Sequence, residues 1–130
     1  MNDIIPSEDE EQIIVMNWAA LARGKFPELD LLFHIPNGGK RGKREAARFK
    51  DMGVKAGVPD LFLPVPRGKY AGLFVEMKRT KGGTVSPEQK KWIADLRGMG
   101  YAAEVAKGGW AAVELIKAYL GLEDVNGKSE

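Results

Sequence analysis

The chain has 130 residues, of which 44% are hydrophobic and 29% are charged, so it can bury one modest core and has the composition of an ordinary globular domain. It contains no cysteine, which excludes disulfides, thiol catalysis and thiolate zinc sites. Its single histidine, His34, excludes a metal site built from several histidines. Any metal would be a hard cation bound by oxygen, which favours Mg²⁺ or Mn²⁺ over zinc.

The first part of the chain predicts a helix, a strand and a second helix. Ser7 followed by Glu10 forms a capping-box pattern, and the helix that it opens is expected to run to about Arg23, just before a glycine. An apolar run over 29–35 predicts a strand that ends at a Pro-Asn-Gly-Gly turn. Residues 44–52 predict a short basic helix with a glycine as its C-terminal stop.

The remainder predicts a hairpin followed by a helix, a strand and a last helix. Apolar runs over 60–65 and 73–78 are separated by a short turn sequence, which predicts an antiparallel pair. Ser86, with a proline after it, predicts the start of a helix that reaches residue 97 or 98. A strand over 101–106 would be parallel to the strand before this helix, and 110–120 would form the closing helix. The expected fold is therefore α/β, a mixed sheet with helices packed on it.

The net charge of +2 says little, but the basic residues are clustered. Residues 40–55 carry seven basic residues against two acidic ones: Lys40, Arg41, Lys43, Arg44, Arg48, Lys50 and Lys55. Such a block suits a polyanion, although a solvated helix surface would have the same composition. The apolar runs are too short to span a membrane and the first six residues do not resemble a leader, so a cytoplasmic location is expected.

The strand over 73–78 places two charged residues next to a very apolar run. Alternation puts Glu76 and Lys78 on the same face of this strand, where they are costly to bury without partners. Antiparallel pairing could bring Asp60 beside Glu76, and two carboxylates this close favour a divalent cation between them. Lys78 could then orient a water or stabilise charge on a phosphate. The alternative is an exposed Glu–Lys pair on an edge strand.

The surrounding motifs point to a known family. They are Ser7-Glu8 with Gln12 and Trp18, Ile35-Pro36-Asn37-Gly38-Gly39, Gly57-Val58-Pro59-Asp60-Leu61, Gly72-Leu73-Phe74-Val75-Glu76-Met77-Lys78, Ser86-x-x-Gln89 and Gly100-Tyr101. In this order, over about residues 7–120, they resemble the virus-type replication-repair (VRR-NUC) branch of the PD-(D/E)xK nucleases. The resemblance implies a restriction-endonuclease-like core and a DNA endonuclease dependent on Mg²⁺ or Mn²⁺.

The resemblance also implies the roles of individual residues. Asp60 and Glu76 would bind the metal with the Met77 carbonyl, and Lys78 would be the catalytic lysine. Gln89 would be the glutamine that this branch adds to the active site. Glu8 matches the family's first-helix glutamate by its spacing to Gln12 and Trp18, but helical periodicity brings Glu11 closer to the apolar stripe of the helix, so Glu11 remains its rival.

Partners follow from the same resemblance together with the basic block. Asn37 is a candidate for a role near the phosphate, and Lys40, Arg41, Lys43 and Arg44 are expected to bind backbone phosphates without reading sequence. The resemblance suggests branched, flapped or junction-containing DNA as substrate, a phage or prophage context, and a homodimer.

Two other functions are compatible with parts of the pattern. A DNA-binding module without catalysis would use the same basic block over 40–55. A nucleotide-binding phosphatase is disfavoured, because the glycines near Lys43 fail the P-loop spacing and paired histidines are absent. In either case one domain over 1–122 is expected, with a polar tail over 123–130.

The histidine and the tryptophans are expected to be structural. His34 lies on a predicted strand and is expected to pack or to form a hydrogen bond. Trp18, Trp92 and Trp110 fall at helical spacings and are expected to lie in the core rather than to stack on bases.

Overall fold

A computed structural model describes residues 4–36 and 42–122. In chain order its elements are helix α1 (Glu8–Ala22), a 3₁₀ helix (Pro27–Leu31), strand β1 (Phe33–His34), helix α2 (Lys43–Asp51), strands β2 (Leu61–Leu63) and β3 (Leu73–Lys78), helix α3 (Pro87–Gly98), strand β4 (Ala102–Lys107) and helix α4 (Gly109–Leu120). The predicted order of helices and strands is confirmed, with the 3₁₀ helix in addition.

The four strands form one mixed sheet in the order β1-β2-β3-β4. Strand β2 pairs antiparallel with both β1 and β3, whereas β3 and β4 are parallel and joined through α3. The predicted hairpin, the parallel crossover and the α/β class are all confirmed. In the hairpin Leu61 faces Val75, so the preceding residue Asp60 is directed toward Glu76, as the turn length predicted.

The two faces of the sheet have different coverings. On one, the core face, Leu61, Val75 and Met77 are buried against α1 and α4, which contribute Val15 and Ile116. The opposite face carries the alternate residues of the strands, among them Asp60, Glu76 and Lys78, and is called the site face below. Helix α3 packs on the site face against β4, so the candidate chemistry lies on the sheet beside α3.

The two predicted helix starts are confirmed. The Ser7 hydroxyl accepts the Glu10 backbone N–H at 3.1 Å, and the Glu10 carboxylate accepts the Ser7 N–H at 2.9 Å. Ser86 and Gln89 form the same reciprocal pair at the start of α3, where Pro87 occupies the first turn. Both capping boxes satisfy backbone donors that the helix itself leaves unpaired.

The strand predicted over 29–35 is wrong for most of its length. Residues 27–31 form a 3₁₀ helix, and only Phe33 and His34 pair with β2. Leu29 and Leu32 are the buried residues of this segment, and their spacing of three is that of one 3₁₀ turn. The strand predicted over 60–65 is shorter too, because Pro64 has no N–H to continue the ladder beyond Leu63.

The core position expected of Trp110 is wrong. Trp110 is 64% exposed, because α4 buries the side that carries Ala112, Val113 and Ile116. Trp18 is half-buried and packs against the core, as expected. Trp92 is half-buried as well, and its indole N–H donates to the Ala56 carbonyl at 3.1 Å.

Some of the residues for which the sequence makes a prediction lie outside the described part of the chain. Asn37, Lys40 and Arg41 lie there, as does the tail expected over 123–130. The division into a domain over 1–122 and a tail therefore stays a prediction. Among the described residues, no helix has the length and apolar character needed to cross a membrane.

Candidate active site

The first carboxylate of the site is fixed where β2 begins. Asp60 Oδ2 accepts the backbone N–H of Met77 at 2.7 Å, so a side chain continues the pairing of the hairpin. The Asp60 carbonyl oxygen accepts the N–H of Ile35 at 2.7 Å and lies 2.8 Å from His34 Nδ1. The hydrogen bond expected of His34 is thereby confirmed, and β1 helps to hold Asp60 against β3.

The second carboxylate is buried and incompletely paired. Glu76 is 1% exposed; its Oε2 accepts a hydrogen bond from Gln89 Nε2 at 3.0 Å, whereas its buried Oε1 has no partner. Burial, and then the negative charge of Asp60, raise the pKa of Glu76 to about 8. Without a bound cation this raised pKa favours the protonated carboxyl group at neutral pH, and a divalent cation beside it would favour loss of the proton.

This raised pKa makes the stability of the fold depend on pH. The carboxyl group of Glu76 titrates near 4.5 in its ordinary state and near 8 in the folded chain, so between these values the folded state binds more protons than the unfolded state. The free energy of unfolding then falls as pH rises through this window. The stabilisation is fully present below pH 4.5 and is lost above pH 8.

Lys78 lies between two carboxylates. Its side chain is buried, and Nζ is 3.6 Å from Glu76 Oε2 and 3.9 Å from Glu8 Oε2. The predicted placement of Glu76 and Lys78 on one face of the strand is confirmed, and the alternative of an exposed surface pair is excluded by their burial. The ammonium group also lowers the pKa of Glu76, against the larger effects of burial and Asp60.

The two glutamates of the first helix have different surroundings. Glu8, the first residue of α1, directs its carboxylate toward Lys78. Glu11, one turn later, is buried and accepts the Gly109 backbone N–H at 2.7 Å. Because the N-cap of α4, Gly108, has no side chain to cap its helix, Glu11 takes that role. The geometry favours Glu8 over Glu11 as the carboxylate that faces the site, and its role as a metal ligand stays a prediction.

Gln89 connects a helix cap to the site. Its Oε1 accepts the Ser86 N–H at 2.9 Å, which orients the amide so that Nε2 donates to Glu76. One side chain therefore closes the capping box and contacts the buried carboxylate. This double use accounts physically for a Ser-x-x-Gln motif at the start of α3.

The donor set fits a hard divalent cation. Asp60 and Glu76 supply carboxylate oxygens, and Glu76 Oε1 is a buried acceptor without a partner. The Met77 N–H points toward Asp60, and the carbonyl of the same residue in an extended strand points to the same edge. Among the described residues no three acidic or histidine side chains converge closely enough to form a metal site, so the cation would need this carbonyl and water as further ligands.

Two of the five residues predicted to bind DNA can be located. Lys43 and Arg44 begin α2, a helix without buried residues whose last turn adds Arg48 and Lys50. Their side chains are exposed, as phosphate contacts require, although exposure alone is equally consistent with a solvated surface. Asn37, Lys40 and Arg41 lie outside the described residues.

Lys107 is a candidate site residue that no sequence motif indicates. Lys107, at the end of β4, is paired in register with Lys78 on the adjacent parallel strand, so both side chains lie on the site face. Lys107 is exposed and adds a second positive charge at the carboxyl end of β3 and β4. Only the register of the parallel pair reveals it, because nothing in the local sequence around Lys107 is distinctive.

Fold and site together define an α/β domain with a buried carboxylate–lysine centre on one face of a mixed sheet. Residues 5–110 match the VRR-NUC domain, and the chain belongs to this family, which is a family of nucleases. A solved structure described as a VRR_NUC domain protein is similar over 100% of this chain and 99% of its own, with 41% sequence identity and a TM-score of 0.77. No curated protein matches the chain.

Proposed function

We propose that this chain is a Mg²⁺- or Mn²⁺-dependent DNA endonuclease of the PD-(D/E)xK type. Family membership supports a nuclease, and the site supports the type. The observation that carries the proposal is the buried Glu76 carboxylate, which has one unpaired oxygen, lies close to Asp60 and is accompanied by the buried Lys78. Such a set is costly for a fold to retain unless it serves chemistry.

Asp60, Glu76 and the Met77 carbonyl would hold the cation, and Glu8 would take part as a further carboxylate through a bound water, because the three carboxylates do not converge into one direct ligand cluster. A bound divalent cation lowers the pKa of water and polarises a phosphate oxygen. The protein keeps its oxygen donors in place without it: Met77 holds Asp60 through its N–H, and Gln89 holds Glu76 through its amide. This arrangement leaves Glu76 Oε1 without a hydrogen-bond partner and so available to a cation.

Lys78 supplies the positive charge for the reaction. Its Nζ lies between Glu76 and Glu8, which keeps the long side chain in one place before substrate arrives. An ammonium group held this way can orient the attacking water and stabilise charge on the phosphate in the transition state. Gln89 holds the Glu76 carboxylate in position through its amide. We propose that Gln89 also assists the reaction by contacting the substrate.

The substrate is proposed to be branched, flapped or junction-containing DNA. The basic helix α2, with the segment before it, would bind backbone phosphates, which positions the duplex without reading its sequence. A domain of this size offers little surface for base recognition, which favours selection by DNA structure. A homodimer and a phage or prophage context are proposed on the strength of the family resemblance, and the cytoplasmic location expected from the sequence completes the proposal.

The first prediction concerns the metal. Incubation with a flapped or four-way DNA is expected to give cleavage in Mg²⁺ or Mn²⁺ and none in EDTA, because the site offers only oxygen donors. Ca²⁺ is expected to support DNA binding with little turnover. Product formation on a denaturing gel measures cleavage, and anisotropy of labelled DNA measures binding. Equal cleavage in EDTA would exclude this mechanism.

The second prediction concerns the basic segment. Replacing Lys40, Arg41, Lys43 and Arg44 with alanine is expected to weaken DNA binding, because fewer backbone phosphates are neutralised. The slope of log affinity against log salt is expected to fall by about one unit for each phosphate that the variant no longer neutralises.

The matched control removes Arg23 and Lys25, two basic residues just beyond the C-terminal end of α1. Helix α1 has 15 residues, so this end lies roughly 22 Å from Glu8 at the other. The control is expected to keep the wild-type slope. If the variant with all four alanine substitutions keeps the wild-type slope, the basic residues of this segment form only a solvated surface.

A further inference from the structure

Four aromatic rings form a continuous row across the site face. Phe62 on β2 stacks on Phe74 on β3, with ring centroids 4.2 Å apart and an angle of 12° between the rings. Phe33 on β1 meets Phe62 edge to face at 5.8 Å, and Tyr101 meets Phe74 in the same way at 5.2 Å. The row therefore extends from the edge strand to the start of β4.

This aromatic row lies directly beside the candidate active site. Phe62 is two residues after Asp60, and Phe74 is two residues before Glu76, so each pair points to the same side of its strand. Two residues along a strand correspond to about 7 Å. The base of a nucleotide next to a phosphate held at the carboxylates would therefore lie within reach of the rings.

The row is accessible at its outer end. Phe33 is 48% exposed, and the other three rings are half-buried, whereas the apolar residues of the core face are almost completely buried. The space for Phe62 depends on Gly72, because a Cβ at this glycine would lie 2.9 Å from Phe62 Cε1. The absence of a side chain at Gly72 thus makes room for the Phe62 ring, and part of the aromatic surface of the row stays exposed at Phe33.

We propose that this row is a stacking site for an unpaired DNA base next to the scissile phosphate. Three of the rings are phenylalanines, which offer a π surface and no hydrogen bonds, so the site would accept any base. Bases within a duplex are already stacked on one another, so only an unpaired nucleotide could use it. The inference rests on the proposed function, and it gives a physical reason why flapped or branched DNA would be preferred.

The test compares two labelled DNAs, a blunt duplex and the same duplex with a short single-stranded flap, by anisotropy in EDTA so that no cleavage intervenes. Phe33→Ala is expected to weaken binding to the flapped DNA by about 5- to 20-fold and to leave the blunt duplex unaffected. Phe33→Leu, which keeps an apolar side chain without a π surface, is expected to behave like Phe33→Ala. Phe33→Trp, which keeps an aromatic ring at this position, is expected to bind flapped DNA as tightly as wild type does.

An abasic nucleotide introduced at each flap position in turn identifies the stacked base. At that position the abasic nucleotide is expected to weaken binding by the wild-type protein. It is not expected to weaken binding by Phe33→Ala any further, because both changes remove the same stacking interaction. Leu21→Ala is the control, since Leu21 is 87% exposed and lies on α1, which packs on the core face of the sheet and not on the site face. A thermal melt of each variant confirms that it is folded.

Three results would overturn the stacking site. Phe33→Ala could weaken the affinity for blunt and flapped DNA equally, Phe33→Ala could have no effect, or Phe33→Leu could bind flapped DNA as wild type does. Any of these results together with metal-dependent cleavage would leave the proposed nuclease intact. Selective binding of flapped DNA through Phe33 by a protein that never cleaves would support the stacking site and remove the nuclease.

Discussion

Lys78→Met is expected to lower the single-turnover rate of DNA cleavage by about a hundredfold or more, the usual scale for loss of one electrostatic or proton-transfer group. Methionine retains an unbranched apolar side chain in a buried position and removes only the charge. DNA affinity in Ca²⁺ is expected to change little, because Lys78 is proposed to act on the transition state. Cleavage of a flapped substrate at saturating Mg²⁺ measures the rate.

A second effect of this substitution must be separated from the first. Lys78 lowers the pKa of Glu76, so its removal raises that pKa further above 8 and makes protons compete more strongly with the metal. Rates are therefore compared at neutral and alkaline pH and at several Mg²⁺ concentrations. Recovery of the full rate at high pH would show that Lys78 only adjusts the charge of Glu76.

Lys91→Met is the matched control, since Lys91 is exposed and pairs with Asp95 on the surface of α3. It is expected to cleave at the wild-type rate. A wild-type rate for Lys78→Met under all conditions would contradict the proposed mechanism and favour a DNA-binding module without catalysis. The basic helix α2 would then account for the contact with DNA by itself.

The centre of the site could be predicted from sequence because it depends on short-range rules. The turn length fixes the hairpin register, and strand alternation fixes the shared face of Glu76 and Lys78. The position of Asp60 follows from the same register. These rules do not predict the hydrogen bond between Asp60 and the Met77 N–H. It forms just before the first residue of β2, beyond the last backbone pair between β2 and β3.

The choice between Glu8 and Glu11 shows where local rules fail. Helical periodicity correctly turns Glu11 inward, and the structure buries it, but its partner is the first N–H of α4, almost a hundred residues away in sequence. Glu8 is less buried and still faces Lys78, because the first residue of α1 lies near the last residue of β3. The direction of a side chain was predictable, whereas the identity of its partner required the tertiary packing.

The remaining differences also have tertiary or backbone causes. The apolar run near Leu29 has the composition of a strand, but packing of every third residue selects a 3₁₀ turn. Trp110 has the hydrophobicity of a core residue, yet α4 presents a different side to the sheet. Lys107 and the aromatic row become visible only when four strands are placed in register.

Asp60→Asn is expected to reduce metal-dependent cleavage by about a thousandfold or more, because it removes a charged ligand whose contribution to a metal site amounts to several kcal/mol. The asparagine oxygen can still accept the Met77 N–H, so the strand end is expected to remain in place. DNA affinity without metal is expected to rise, since one negative charge facing the phosphate is lost.

The same substitution gives a second result that does not depend on metal. The charge of Asp60 is the second-largest cause of the raised pKa of Glu76, after burial, so Asp60→Asn should lower that pKa while burial keeps it above its ordinary value. In wild type the free energy of unfolding is expected to fall by on the order of a few kcal/mol between pH 5 and pH 8. In Asp60→Asn this fall is expected to be smaller and to end at a lower pH.

Urea denaturation in EDTA at several pH values measures the fall. Glu76→Gln is expected to abolish it, because the titrating carboxyl group is gone, and Asp30→Asn, which removes an exposed carboxylate paired with Arg23, is expected to leave it unchanged. If Asp60→Asn keeps the full wild-type dependence, the carboxylates do not interact strongly enough to require a cation between them. Loss of cleavage together with a reduced pH dependence would show that Asp60 and Glu76 act as one coupled pair, which a metal ligand set requires and a chance surface pair does not.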